Sequence, residues 1–192
     1  MELFGIFFAA FLINNILLIR FIALCSFFGV STKIDTSLGM SFAVIFVMTI
    51  SSAVSWAAYH FILAPFHLEF LRTAVFILTI ASLVQLEELY LKKMIPHLYR
   101  AMGIYLPLIT TNCAILAVAF LAIDYRFTFS QAMVYSIGVS GGYSLAIILF
   151  AYIRERMMLA PIPKWFQGYP IAFLTAALMS LAFLGFTGMF GL

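Results

Sequence analysis

The sequence predicts an all-α membrane protein: a single bundle of six transmembrane helices, arranged as two inverted three-helix repeats with interrupted helices carrying the cysteines. Three observations predict it. The 192 residues are 66% hydrophobic and only 9% charged, with a mean hydropathy of +1.17. A soluble domain carries about 25% charged residues and needs them to cover its surface. Apolar stretches near the roughly 20 residues that cross a bilayer recur along the chain. The two cysteines, Cys25 and Cys113, fall into register when the sequence is shifted by 88 (113 − 25).

The first apolar stretch, 3–30, is long for the hydrophobic core of a signal peptide (roughly 7–15 residues), and no small-residue cleavage site follows it. It is expected to remain as a span. As one straight helix it would measure about 42 Å, against a hydrocarbon core of about 30 Å. It also holds Asn14, Asn15 and Arg20. Tilt would absorb the excess length; a break in the helix would absorb it and also account for the polar residues. The two adjacent amides must find partners, and freed backbone or a neighbouring helix is the expected one.

The other spans fall at about 39–61, 70–90, 102–122, 129–152 and 169–190. Short connectors hold most of the charge, so no extramembrane domain is expected. Connectors one, three and five carry Lys33, Lys92, Lys93, Arg100, Arg154, Arg156 and Lys164; connectors two and four carry Arg72 and Arg126. The positive-inside rule then places the odd connectors in the cytoplasm and both termini on the other side. Gly138, Gly141 and Gly142 in the fifth span read as a close-packing surface.

Six spans divide into a repeat over about 1–95 and another over about 96–192. A three-span unit starts and ends on opposite sides, so its duplicate must be inverted, and such repeats place discontinuous helices near the midplane. The 88-residue shift lays "ILLIRFIALCSFFGVS", from Ile16, over "IYLPLITTNCAILAVA", from Ile104, with Cys25 on Cys113. Pro107 removes a backbone donor, and Thr110, Thr111 and Asn112 can satisfy the groups that are freed. Cys113 is therefore expected at an interrupted helix.

Several function classes are disfavoured. The net charge of +3 and the lack of a basic run with interleaved aromatics argue against nucleic acid. There is no Gly-Lys-Ser phosphate loop and no Ser/His/Asp constellation. Two cysteines in apolar stretches are often only small hydrophobes. As thiolates they would be metal ligands, but zinc usually takes four ligands, and His60, His67 and His97 lie at span ends on different sides. A [2Fe–2S] cluster takes four cysteines, so a partner chain would have to supply two. Burying such charge calls for compensation. If the segment were helical, Arg20 would lie about 7.5 Å along the axis from Cys25, as a counter-charge; alternatively it snorkels to an interface. The acids Glu2, Asp35, Glu69, Glu87, Glu88, Asp124 and Glu155 fall near span ends, so the path of any coupled ion is expected elsewhere or along backbone carbonyls. Lys92, Lys93 and the "IRERM" segment at 153–157 are expected to anchor helix ends at the headgroups.

"INNILLIRFIALCSFFGVS", "GIYLPLITTNCAILAVA", "GYSLAIILFAYIRERM" and "PIPKWFQGYPIAFLTAALMSLAFLGFTG" together resemble the RnfA/NqrE family, six-span subunits of the Rnf and Nqr electron-transport complexes. The resemblance covers nearly the whole chain, and "IRER" and "LMSLAFLGF" are closer to RnfA. It implies a membrane subunit of an Rnf-type ion-translocating ferredoxin:NAD oxidoreductase, not catalytic alone, in the bacterial inner membrane. It further implies a homologous partner of opposite orientation (RnfE or NqrD), with one [2Fe–2S] cluster held between the two by two cysteines from each. The family positions fall on Cys25 and Cys113. Neighbouring subunits would carry flavins. The family usually has lysine where Arg20 stands; a guanidinium holds its charge more firmly, which weighs against any role requiring deprotonation. The alternatives are an NqrE-like subunit of a Na⁺-translocating NADH:quinone oxidoreductase, a small permease without redox chemistry, and a purely structural bundle.

Overall fold

The computed structural model describes residues 2–66, 69–94, 112–159, 161 and 163–186, and these form helices joined by turns. In chain order they are α1 (Glu2–Phe8), continued by a π-helical turn Ala9–Ile13; α2 (Leu24–Val30); α3 (Ile34–Ala58), continued through a π turn Tyr59–Leu63; α4 (Arg72–Met94); α5 (Cys113–Asp124); α6 (Phe129–Met158); and α7 (Tyr169–Leu184). Each of the six expected spans contains a helix among the described residues. Two are long and apolar enough to cross a bilayer, Ile34–Leu63 and Phe129–Met158 at 30 residues each; shorter apolar helices are Leu3–Ile13, Arg72–Leu86, Cys113–Asp124 and Tyr169–Leu184. The expected interruption at Pro107 to Thr111 lies outside the described residues, as do His67, His97 and Arg100.

The first span is broken. After the π turn the Asn14 N–H still reaches Ala9 O at 2.7 Å, and regular helix resumes only at Leu24. Phe21 (φ 54°) and Ala23 (φ 71°) take left-handed backbone, a conformation that L-residues with a Cβ adopt at a cost of about 1–2 kcal/mol. The polar groups freed by the break are met from two directions, and a third contact holds the far end of α2. Asn15, fully buried, accepts from Leu17 N–H at 3.0 Å and Leu18 N–H at 3.2 Å, and its Nδ2 donates to Gly142 O at 2.8 Å. Ser180 of α7 donates to Leu18 O at 2.7 Å. Arg154 of α6 donates to Phe28 O and Ser31 Oγ, each at 2.9 Å. Without water at depth such groups must be satisfied within protein, so the expected role of Asn15 is met by backbone.

The glycines of α6 are where α1 comes closest. A Cβ on Gly142 would lie 2.5 Å from Phe11 O, and one on Gly138 would lie 2.9 Å from Phe7 O. The α3 helix packs along α6, with buried serines on both: Ser51, Ser52 and Ser55 against Ser136, Ser140 and Ser144. Small residues let helix backbones approach where no hydrophobic force separates protein from lipid. Around this seam the core is aromatic. Phe27 stacks on Phe150 with centroids 4.1 Å apart, and Phe28 bridges Phe150 and Phe173. The outer surface is as apolar as the core: Phe42 is 73% exposed, Phe61 76% and Leu78 71%. A water-soluble fold would bury such side chains, whereas hydrocarbon accepts them.

A candidate pair of thiol ligands

The site begins with the break in the first span. Because the chain leaves the helix at Asn14 and re-enters at Leu24, Cys25 stands in the first turn of α2. Cys113 is the first residue of α5, and Asn112 caps that helix, its Oδ1 accepting Ala114 N–H at 3.0 Å. The two cysteines, 88 positions apart in sequence (113 − 25), meet. Their side chains lie close enough to act on one another electrostatically. Both thiols are free and exposed. Two helix starts from distant parts of the chain thus present a pair of sulfurs at the protein surface.

Behind the sulfurs lies a polar layer. Tyr143 of α6 is completely buried, and its hydroxyl donates to Ser26 Oγ at 2.9 Å. Ser26 Oγ donates in turn to Ala23 O at 3.0 Å. Asn112, 3% exposed, turns its Nδ2 toward the Tyr143 hydroxyl without making a hydrogen bond of full geometry. Tyr143 and Ser26 carry no motif that marks them in the sequence; the available signal was a tyrosine hydroxyl inside an apolar span, directly after two glycines, where a buried O–H needs a partner.

Arg20 is not beside the cysteines, which corrects the counter-charge expectation. Its guanidinium donates to Tyr125 Oη at 2.7 Å, and Tyr125 follows the opposite end of the helix that Cys113 begins, about 18 Å along the axis at 1.5 Å per residue. The spacing of 7.5 Å assumed continuous helix from Arg20 to Cys25, and the chain is not helical there. Arg20 instead lines a cavity of 350 Å³ with Asn14, Tyr125 and Tyr135. Asp35 stands in the first turn of α3, Asp124 at the end of α5, paired to Arg72 at 2.8 Å, and Glu155 near the end of α6, whereas Glu88 lies six residues before the end of α4. His60 stacks on Trp56 with centroids 4.4 Å apart. Among the described residues no three His, Cys, Asp or Glu side chains converge on a metal position.

The class of protein this fold and site define is a helical integral-membrane subunit, apolar on its outside, with two unpaired thiols open at one face. The family described as "Rnf-Nqr subunit, membrane protein" matches residues 3–190, and the chain belongs to that family. Over 178 residues it is 52% identical to a protein of Aeromonas salmonicida named as the A-type subunit of an ion-translocating oxidoreductase complex, covering 93% of this chain and 92% of the relative. It is 49% identical to the protein of the same name from Syntrophotalea carbinolica, over 94% of this chain and 93% of that one. With the one from Photorhabdus laumondii it shares 50% identity over 188 residues, 98% of this chain and 97% of the relative.

Proposed function

We propose that this chain is the RnfA component of an Rnf-type ion-translocating oxidoreductase, and that Cys25 and Cys113 supply half of the ligands of a [2Fe–2S] cluster whose other half comes from a homologous membrane subunit of opposite orientation. The observation that carries the reading is the meeting of two free, exposed thiols at two helix starts. The donor set fits the group. Both sulfurs are free and exposed and lie close enough to interact with one another, as two ligands of one metal ion must. The count also fits, because two thiolates are half of four.

When bound, the cluster supplies a one-electron carrier within the membrane. The chain's own contribution is placement and charge. Cys25 stands in the first turn of α2 and Cys113 opens α5, where helix N–H groups without intrahelical partners are available to donate to a thiolate. The apolar body around the site, with Phe27, Phe28 and Phe150 in its core, keeps bulk water from the sulfurs' inner side. Electrons would pass onward to flavins in neighbouring subunits. The names of the relatives favour the RnfA role over an NqrE-like one in a quinone-reducing complex. We also assign both termini to the non-cytoplasmic side of the bacterial inner membrane, on the excess of Lys and Arg in the odd connectors, and read the chain as two inverted repeats about the cysteines. Reporter fusions at the C-terminus and in the loop after Met158 should report opposite sides.

The test is co-purification with the neighbouring subunits, iron analysis, and EPR of the dithionite-reduced sample. Cys25→Ser and Cys113→Ser should each remove the rhombic low-temperature signal and electron transfer. A permease or a purely structural bundle tolerates both substitutions, so wild-type iron content in either variant would sink the cluster reading.

A further inference from the structure

The thiol pair has a support that the cluster reading does not itself explain. Cys25 and Cys113 are carried by two separate helix starts, and α2 follows an irregular segment with left-handed backbone at Phe21 and Ala23. Something must hold one start against the other. Tyr143 reaches both: its buried hydroxyl donates to Ser26 Oγ, next to Cys25, and faces Nδ2 of Asn112, next to Cys113. Each of these neighbours is tied into its own helix start, Ser26 through Ala23 O and Asn112 through Ala114 N–H. Asn112 Nδ2 is buried and makes no hydrogen bond among the described residues, and it faces the Tyr143 hydroxyl.

We propose that Tyr143 is a positioning residue for the two thiolates: its hydroxyl, bonded to Ser26 beside Cys25 and facing the cap that precedes Cys113, holds the first helix start against the second and so sets the distance between the sulfurs. The inference rests on the reading of Cys25 and Cys113 as paired metal ligands. Partners one layer behind a metal ligand orient it, and losing one typically costs about 10–100-fold in metal affinity. The ring of Tyr143 fills core volume, and Tyr143→Phe keeps the ring while removing only the hydroxyl and its bond to Ser26.

The experiment uses the full chain, purified in detergent and titrated with Cd²⁺ alone, with thiolate-to-metal absorption in the ultraviolet as the readout. The wild type should bind one Cd²⁺ through both thiols. Tyr143→Phe and Ser26→Ala should each weaken that binding by about tenfold with an unchanged thermal unfolding midpoint. Tyr135→Phe removes a buried hydroxyl about two turns earlier on the same helix and should bind like the wild type. In the assembled complex, Tyr143→Phe should broaden the EPR lines of the reduced sample at unchanged iron content. Wild-type Cd²⁺ affinity and unbroadened lines in Tyr143→Phe would overturn the role of Tyr143 and leave the paired thiols standing; if that variant does not fold, Ser26→Ala decides on the same two readouts. A wild-type chain that binds Cd²⁺ through neither thiol would overturn the paired ligands, and this inference with them.

Discussion

At the scale of single residues, Gly142 shows how little room the bundle leaves. An added methyl would meet Phe11 O at 2.5 Å and Asn15 Nδ2 at 3.1 Å, and backbone cannot swing aside as a side chain end can. Gly142→Ala should lower the stability of the solubilised protein by about 1–3 kcal/mol, read as an earlier thermal transition. Gly5→Ala, with nothing within 4 Å, should leave it unmoved. Asn15 is the counterpart in hydrogen bonding. Asn15→Ala strands two buried N–H groups and the Gly142 carbonyl, so a loss of about 3 kcal/mol is expected. That an amide in an apolar span needs partners was legible in the sequence. That its partner is a carbonyl 127 positions away was not, because nothing local to Asn15 encodes which helix will lie against it.

At the scale of elements, arithmetic showed the first span to be too long to cross straight, a stretch about 42 Å long against about 30 Å, and left tilt or a break as the remedy; the structure chose the break. The sequence could not fix the path of the chain through the break, and so it misplaced Arg20. Helical rise applies only where the helix continues, and between Asn14 and Leu24 it does not. The α5 helix carries a second prediction. Its last residue, Asp124, is 54% exposed and pairs with Arg72, where solvent screens the interaction. Asp124→Asn should cost under about 1 kcal/mol and leave sodium or proton flux coupled to electron transfer; loss of flux with electron transfer intact would place the ion path at α5 after all. On α3, Ser51 and Ser55 have buried hydroxyls that make no hydrogen bond among the described residues. Replacing either by alanine removes an unsatisfied group, and the thermal transition should hold or rise.

At the scale of the whole molecule, the bundle presents its candidate ligands outward. A metal site complete within one chain would face its ligands inward on one another; here Cys25 and Cys113 are both exposed. Purified alone, the chain should therefore hold no iron and offer two thiols to a maleimide reagent. In the complex both should resist labelling until iron is stripped by a chelator under oxidising conditions. Labelling of either thiol in the untreated, iron-replete complex would contradict the shared site.

The sequence by itself determined the solvent. With 9% charged residues, burial in lipid was the only way to shelter so much apolar surface. It also determined the places of the helices, a close-packing role for the α6 glycines, and that the first span is too long to cross straight, because hydropathy, length and side-chain size act locally. Only the tertiary structure decided that two helix starts so far apart in the chain converge, that Tyr143 stands behind both sulfurs, and that Arg20 points the other way. Those facts depend on how helices pack across the bundle, and packing is a property of surfaces brought together by folding, which no stretch of chain contains alone.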